Sequence, residues 1–401
     1  MTTTFMHTGD EHIDAEAHGT INPKTGLNTA WESNYRVIRH LAEVAVARKV
    51  DAFISAGDAF KNGRPSQEAL MLFTEAMSPV AEAGIPIVLL DGNHNVNGIP
   101  SDHRSAIHVV AEMLRSRGGD VRIAAHPELI RLPSGLQVAA LPWLSKNRIL
   151  NALDAVDLTP AQGDARVAEY GIQILEKMAT DAESGSPLIM ASHVTVDDLR
   201  IDAVAEGFTR GSEVDMSHLF SEPVLPRKEL EKLPFSYGAL SHIHTPQKMS
   251  ERYYYAGSPN RLTFTDMKDD KAGNLVTVAD DGTMSIEKIR TPARVMAQID
   301  LDKPGYDTVF DTLEPDTLVQ ILLETGNPEV PRDIRKAITA AGAILADTKG
   351  RPKPRPTALA ANVLPEKVDP ITALRAWAEN NLPTGVEVDH LIAAAESLDA
   401  A

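Results

Sequence analysis

The chain has 401 residues, of which 43% are apolar and 24% charged, and it contains no cysteine. This composition is typical of soluble globular proteins, and the length predicts about two or three domains. The absence of cysteine excludes disulfides, a thiolate nucleophile and cysteine-ligated zinc or iron–sulfur centres. With 39 Lys and Arg against 56 Asp and Glu, the net charge of −17 argues against a protein that coats nucleic acid through a basic surface.

No stretch of the sequence predicts export or membrane insertion. The first residues, Met1 to His7, lack the basic and apolar regions of a signal peptide. No uncharged apolar run approaches the ~18 residues that span a bilayer. We therefore expect a cytoplasmic protein without a membrane partner.

Short apolar runs alternate with amphipathic stretches over about the first 260 residues, which predicts a layered α/β domain. The buried strands are predicted at 51–56, 85–90 and 187–191. The helices are predicted at about 31–48, 66–83, 102–116 and 164–182. The strands end in short polar clusters, and α/β folds place their active sites at such strand ends.

Beyond about residue 274 the pattern changes to that of a small α+β domain. Residues 293–300 and 317–324 alternate as strands do, and 330–341 has apolar residues at helical spacing. A basic, proline-rich segment that begins at Lys349 predicts an extended linker. Two short amphipathic helices are predicted after it, the second over about 388–398.

The polar clusters contain residue types that bind metal ions. Asp10 and His12 are two positions apart, so on an extended segment both side chains point the same way. Asp58 follows Gly57, a small residue that allows a tight turn. The later clusters repeat this chemistry, and the potential ligands are Asp10, His12, Asp58, Asn93, His193, His242 and His244.

These donors predict two metal sites, with Asp58 shared between them. Mixed nitrogen and oxygen donors without sulfur favour Mn, Fe or Zn over Ca or Mg, and we expect two Mn²⁺ ions per chain. Two ions ~3.5–4 Å apart can activate water and stabilise both oxygens of an in-line displacement at phosphorus. His94 is predicted to assist the leaving group as a hydrogen-bond donor or general acid, because an imidazole titrates near neutral pH.

The ordered motifs resemble those of the calcineurin-like metallophosphoesterase superfamily. They are Asp10-x-His12, Gly57-Asp58, Gly92-Asn93-His94, His193 and His242-x-His244. Within that superfamily the chain is most similar to nucleases of the SbcD type, and the segment from Tyr255 to Arg261 matches their closing motif.

The resemblance implies a two-sheet sandwich flanked by helices, a small α+β capping domain and a C-terminal helical tail. It implies a nuclease domain over 1–285, a capping domain over 286–348, a linker over 349–365 and a partner-binding tail over 366–401. The first metal would bind Asp10, His12, Asp58 and His244, and the second Asp58, Asn93, His193 and His242. His94 would stabilise the transition state.

Three positions depart from the family pattern. Asn95 replaces an aspartate after the histidine, Ser241 replaces a glycine before His242, and Lys61 stands where archaeal members carry a second catalytic histidine. The leaving-group histidine therefore lacks the usual neighbouring carboxylate in sequence.

The leading hypothesis is a metal-dependent DNA exo/endonuclease subunit that works with an SbcC-type ATPase. The alternatives are a stand-alone phosphodiesterase or phosphatase for small esters, and a non-catalytic scaffold with the same fold. DNA contacts are predicted at Lys61, Arg64 and Arg261, and the tail is expected to bind the ATPase. The helices at 66–83 and 102–116 are expected to form a homodimer through some of their apolar positions, which are Leu70, Leu72, Phe73, Met77, Ile107, Val110, Met113 and Leu114.

Overall fold

A computed structural model of the chain describes residues 2–96, 104–155, 157–199, 222–279, 281–323, 329–350, 375 and 388–399. The chain divides into two compact units, Met1–Arg351 and Pro352–Ala401. The second unit contains a helix over Val388–Asp399, inside the predicted tail. The predicted linker from residue 351 onward and the first predicted tail helix, apart from Arg375, lie outside the described residues.

The strands of the first unit are numbered here in chain order. They are β1 (Thr3–Thr8), β2 (Ala52–Ser55), β3 (Ile87–Leu90), β4 (Val121–Ala124), β5 (Glu128–Arg131), β6 (Gln137–Leu141), β7 (Leu188–His193), β8 (Thr195–Val196), β9 (Val224–Leu225), β10 (Tyr237–Ser241), β11 (Gln247–Lys248), β12 (Tyr253–Tyr255), β13 (Ala272–Val278), β14 (Met284–Arg290), β15 (Met296–Asp300), β16 (Leu318–Leu323) and β17 (Ile344–Gly350).

The helices that precede β7 are α1 (Thr29–Ala47), α2 (Gln67–Glu82), α3 (Asn93–Val96), α4 (Ala106–Arg115), α5 (Lys146–Ala152) and α6 (Pro160–Thr180). Short helices follow at Arg227–Leu230, Phe264–Asp266, Tyr306–Thr312 and Arg332–Ala340. Polar side chains fix where α1, α2 and α6 begin, because Asn28, Ser66 and Thr159 each accept a hydrogen bond from a backbone N–H of the first turn. Helix α6 therefore begins four residues before its predicted start at 164.

Two six-stranded sheets form the body of the first unit. The first has the order β14-β13-β1-β2-β3-β4, with β1 to β4 parallel, and the second has the order β11-β12-β10-β7-β6-β5, with β12, β10, β7 and β6 parallel. A separate three-stranded parallel sheet, β15-β16-β17, packs with the helix Arg332–Ala340 and corresponds to the predicted capping domain.

Alternating side chains place the first sheet between two apolar layers. Phe5 and Ile54 lie in the core between the two sheets, whereas Met6 and Phe53 lie in the core beneath helices α1, α2 and α4. Helix α6 covers the outer face of the second sheet. This confirms the predicted two-sheet α/β sandwich flanked by helices.

Two predicted boundaries are wrong by several residues. β14 continues to Arg290 and pairs along its whole length with β13, so the nuclease domain cannot end at 285. β17 continues to Gly350, so Lys349 and Gly350 belong to the capping sheet rather than to the linker. Both errors come from polar edge strands, whose alternation is weak in the sequence.

The helices predicted to form a dimer use most of their apolar positions in the core. Phe73, Met77, Ile107, Val110 and Leu114 are buried beneath the first sheet's helical layer. The large exposed apolar side chains of these helices are instead Met71 and Val109, at 52% and 47% exposure. None of the helices in the described ranges combines the length with the apolar character that a bilayer span requires.

One imidazole is held between the sheets. His7 of β1 is fully buried, and its Nδ1 lies 2.9 Å from the hydroxyl oxygen of Tyr237 in β10. Burial lowers the pKa of His7 to about 3, so the folded chain keeps this ring neutral.

We predict that His7 makes the fold sensitive to mild acid. Below pH ~6.5 the unfolded chain takes up a proton at His7 that the folded chain refuses, so the free energy of unfolding falls by about 1.4 kcal/mol per pH unit from this residue. The difference in unfolding free energy between the wild type and a His7→Asn variant should shrink as the pH falls from 7 to 4. A difference that stays constant over that range would contradict the assignment.

Candidate metal centre

All the predicted ligands converge at the carboxyl ends of five parallel strands. Asp10 and His12 follow β1, Asp58 follows β2 and Asn93 follows β3, all in the first sheet. The second sheet contributes the rest, with His193 at the end of β7 and His242 and His244 after β10. The loops of the two sheets therefore meet at one place.

One group of donors comprises Asp10, His12 and His244, whose ligand atoms lie within 4.8 Å of one another. The Nε2 atoms of His12 and His244 are 3.2 Å apart. A cation held by both nitrogens fits this close approach, because two neutral imidazoles offer matching lone pairs to a metal ion.

A second group comprises Asp10, Asp58 and His193. His193 Nε2 lies 3.2 Å from Asp58 Oδ2 and 2.9 Å from Asn93 Oδ1, which in turn lies 3.2 Å from His242 Nδ1. Asp10 is thus common to both groups, whereas the resemblance implies that Asp58 is the shared ligand.

The Asp10 carboxylate is fixed by the opposite sheet. It accepts a hydrogen bond of 2.8 Å from the Ser241 hydroxyl and bonds of 3.0 and 3.1 Å from the His242 backbone N–H. Ser241, which replaces the family's glycine, therefore adds a contact that a glycine could not make.

Four of the predicted ligands have left-handed backbone angles. The φ values are +53° for Asp10, +40° for His12, +56° for Asp58 and +99° for His242. Such angles are rare outside glycine and cost ~1–3 kcal/mol each, so they persist only where the surrounding structure imposes them. Their concentration here indicates a functional constraint on these loops.

Two glycines leave room for the ligands. At Gly57, where φ is +120°, a Cβ would lie 2.3 Å from His193 Nδ1. At Gly92 a Cβ would lie 2.1 Å from Asp58 Oδ1. The tight turn predicted at Gly57 is therefore confirmed, and its second role is to admit a ligand from the other sheet.

The charges at the centre interact strongly. Burial raises the pKa of Asp58, but the His193, His12 and His94 imidazoles outweigh it and lower the pKa to about 2. Burial raises the pKa of Glu11 to about 8, so this neighbouring carboxyl is neutral at pH 7.

Glu222 is a polar neighbour that the sequence motifs did not indicate. Its Oε1 lies 3.4 Å from His242 Nε2 and accepts a hydrogen bond from the Thr195 hydroxyl. Burial lowers the pKa of His242, but this contact with Glu222 outweighs it and raises the pKa. A carboxylate on the far ring nitrogen fixes the ring so that Nδ1 faces Asn93.

His94 is oriented without a neighbouring aspartate. Its Nδ1 donates to the Lys61 backbone oxygen at 2.9 Å, and its backbone N–H donates to Asp58 Oδ1 at 3.0 Å. The Asp14 carboxylate in turn accepts a 2.6 Å hydrogen bond from the Lys61 backbone N–H. The carbonyl thus takes the place of the carboxylate that is missing at Asn95.

The calcineurin-like phosphoesterase family profile matches residues 3–246, which contain all of these side chains. The chain belongs to the calcineurin-like phosphoesterase family.

Several curated relatives of this phosphoesterase are named for DNA repair or nuclease activity. The DNA double-strand break repair protein Mre11 of Methanopyrus kandleri is 24% identical over 275 residues, which cover 67% of this chain and 51% of the relative. The SbcD component of the nuclease SbcCD is 24% identical in Escherichia coli K12, covering 72% of this chain and 68% of the relative, and 27% identical in Rhodobacter capsulatus, covering 69% and 66%. The chain thus spans about half of the Mre11 relative's length.

A buried lysine supports the last ligand of this phosphoesterase. Lys271 has a fully buried side chain, and its Nζ donates to the His244 backbone oxygen at 2.9 Å and to Ser258 Oγ at 2.9 Å. It also lies 3.1 Å from Asp269 and 3.4 Å from Asp266. A lysine is seldom buried without such partners, and here it fixes the backbone that carries His244.

Arg261 does not have the geometry predicted for a DNA contact. Its guanidinium donates to the backbone oxygens of Arg294 and Asp269, at 2.8 and 3.0 Å. Arg294 in turn donates to the Arg261 and Leu262 backbone oxygens. The two arginines therefore hold together the segment that leads into the capping domain. Of the predicted contacts, Arg64 is exposed and Lys61 is half-buried beside His94.

We predict that Gly57→Ala weakens metal binding, because the new methyl group would displace His193. Gly118→Ala is the matched control, since Gly118 also has a positive φ, +91°, but nothing lies within 4 Å of its added Cβ. Calorimetric titration with Mn²⁺ should show at least tenfold weaker binding in Gly57→Ala and wild-type affinity in Gly118→Ala. Equal affinity in both variants would contradict the proposed position of His193.

Proposed function

We propose that this chain is a Mn²⁺-dependent DNA nuclease subunit that hydrolyses phosphodiester bonds with two metal ions per chain. The observation that supports this best is the convergence of seven carboxylate, amide and imidazole donors on one place, with His94 beside them. When bound there, two divalent ions would supply Lewis-acid stabilisation and a water nucleophile at neutral pH. Asp10, His12, Asp58 and His244 would hold one ion, and Asp58, Asn93, His193 and His242 the other.

The chain's own residues would position the substrate around those ions. Because His94 Nδ1 donates to the Lys61 carbonyl, its Nε2 is the nitrogen that would face the substrate. In the protonated form it would donate to the leaving oxygen of the phosphodiester. Lys61 and the exposed Arg64 lie on the loop after β2, where they would contact phosphates on either side of the scissile bond.

DNA is the proposed substrate because the relatives that match most of the chain are named as components of a nuclease and as a break-repair protein. The proposal extends to an SbcC-type ATPase that binds the tail, to a homodimer and to a cytoplasmic location. The tail helix Val388–Asp399 is too short to be stable alone in water, where helices below ~12–15 residues are marginal, so a partner surface suits it.

A stand-alone phosphodiesterase for small esters is the second candidate, since the family profile covers only residues 3–246 and describes phosphoesterases in general. Linear duplex DNA and bis(p-nitrophenyl) phosphate distinguish the two. Hydrolysis of the small ester without cleavage of DNA, with or without the ATPase, would favour this candidate. The non-catalytic scaffold is disfavoured by the complete donor set, because a decayed site loses ligands.

We predict that Asp58→Asn abolishes Mn²⁺-dependent cleavage of linear duplex DNA while the protein stays folded by circular dichroism. His94→Gln should cut the rate ~10²–10⁴-fold at unchanged metal content, because it removes acid assistance and no ligand. His40→Gln, on helix α1, is the matched control and should cleave as the wild type does.

Two outcomes would contradict these roles. Unchanged cleavage by Asp58→Asn would remove Asp58 from the metal centre. Loss of a bound ion in His94→Gln would make His94 a ligand instead of an acid.

A further inference from the structure

A cavity of about 390 Å³ lies beside the metal centre. Its walls come from the end of β3, the turn after β4, the end of β6 and helices α5 and α6. These elements contribute, among other residues, Asp91, His126, Trp143, Arg148 and Tyr170. None of the residues assigned above to metal binding lines it.

The cavity and the metal centre share a wall. The Trp143 ring centroid lies 5.1 Å from that of His242 and 6.2 Å from that of His193. Trp143 and Asp91 are also joined by a 2.9 Å backbone hydrogen bond, and Asp91 is two positions before Asn93 on the loop after β3. A molecule bound at the metal ligands can therefore extend into this cavity past Trp143.

The lining suits a flat heterocycle with polar edges. Trp143 and Tyr170 are aromatic, and Pro127, Pro142 and Ile149 add apolar surface. Asp91 is 3% exposed; its Oδ2 accepts a hydrogen bond from Ser105 Oγ at 3.0 Å, and no described residue donates to its Oδ1. Apolar and aromatic walls with a few placed polar groups are the usual form of a small-molecule site.

We propose that this cavity binds the nucleobase of the nucleotide next to the scissile phosphate. Its volume is within the ~300–1,000 Å³ of small-molecule pockets, enough for one base and too small for a duplex. The base would leave its stack and lie against the aromatic side chains, as in other enzymes that read a single extruded base. Asp91 would accept a hydrogen bond from a ring or exocyclic N–H of the base. This inference rests on the proposed nuclease function and names the part of the substrate that the site recognises.

The test compares two ligands that differ only in the base. Deoxyguanosine 5′-monophosphate and 2-deoxyribose 5-phosphate both offer a phosphate to the metal ions, and calorimetry in excess Mn²⁺ gives the affinity of each without needing turnover. The wild type should bind the nucleotide about tenfold or more tightly, because stacking a base on an aromatic side chain contributes that much. Tyr170→Leu should remove most of this difference and leave the affinity for the sugar phosphate unchanged.

Tyr306→Leu is the matched control, because Tyr306 packs in the capping domain. It should keep the wild-type preference for the nucleotide. Equal affinities of the wild type for both ligands, no binding of either, or an equal loss for both ligands in Tyr170→Leu would overturn the proposal. The nuclease function fails separately, if the wild type shows the preference for the nucleotide but cleaves no DNA.

Discussion

The Asp10 carboxylate joins the two sheets at the point where the site forms. It follows the strand β1 of the first sheet and accepts hydrogen bonds from Ser241 and His242 at the end of β10 in the second. Asp58 and His193 make a second link of the same kind, 3.2 Å apart. Because each sheet supplies only part of the donor set, the centre exists only while the sheets keep this alignment. The core between them, with Phe5, Ile54 and their neighbours, therefore supports the chemistry as well as the fold.

Holding so many polar groups in a buried place is costly, and the structure shows how the cost is distributed. Left-handed backbone at Asp10, His12, Asp58 and His242 aims the side chains inward. Surrounding groups then fix them: Glu222 holds the His242 ring, the Lys61 carbonyl holds His94, and the buried ammonium of Lys271 holds the backbone at His244. Bound cations would compensate the remaining carboxylate charge, which the buried imidazoles offset only in part.

The sequence predicted the α/β sandwich and the convergence of the donors because both depend on local patterns. Apolar strands have a clear signal, and polar residues at the ends of parallel strands must meet at one edge. It missed Glu222 and Lys271, since a single acidic or basic residue has no motif and becomes informative only when its neighbours are known. It misassigned Arg261, because an arginine that binds backbone oxygens looks in sequence like one that binds phosphate. The boundaries at 285 and 349 failed where edge strands are polar.

The measurement that tests this account most directly is the number of Mn²⁺ ions bound per chain, obtained by equilibrium dialysis followed by elemental analysis. The account predicts two ions for the wild type. It predicts that Asp10→Asn, which alters a donor common to both groups, lowers the affinity at both sites. A single ion per chain in the wild type, or two ions bound with wild-type affinity in Asp10→Asn, would contradict it.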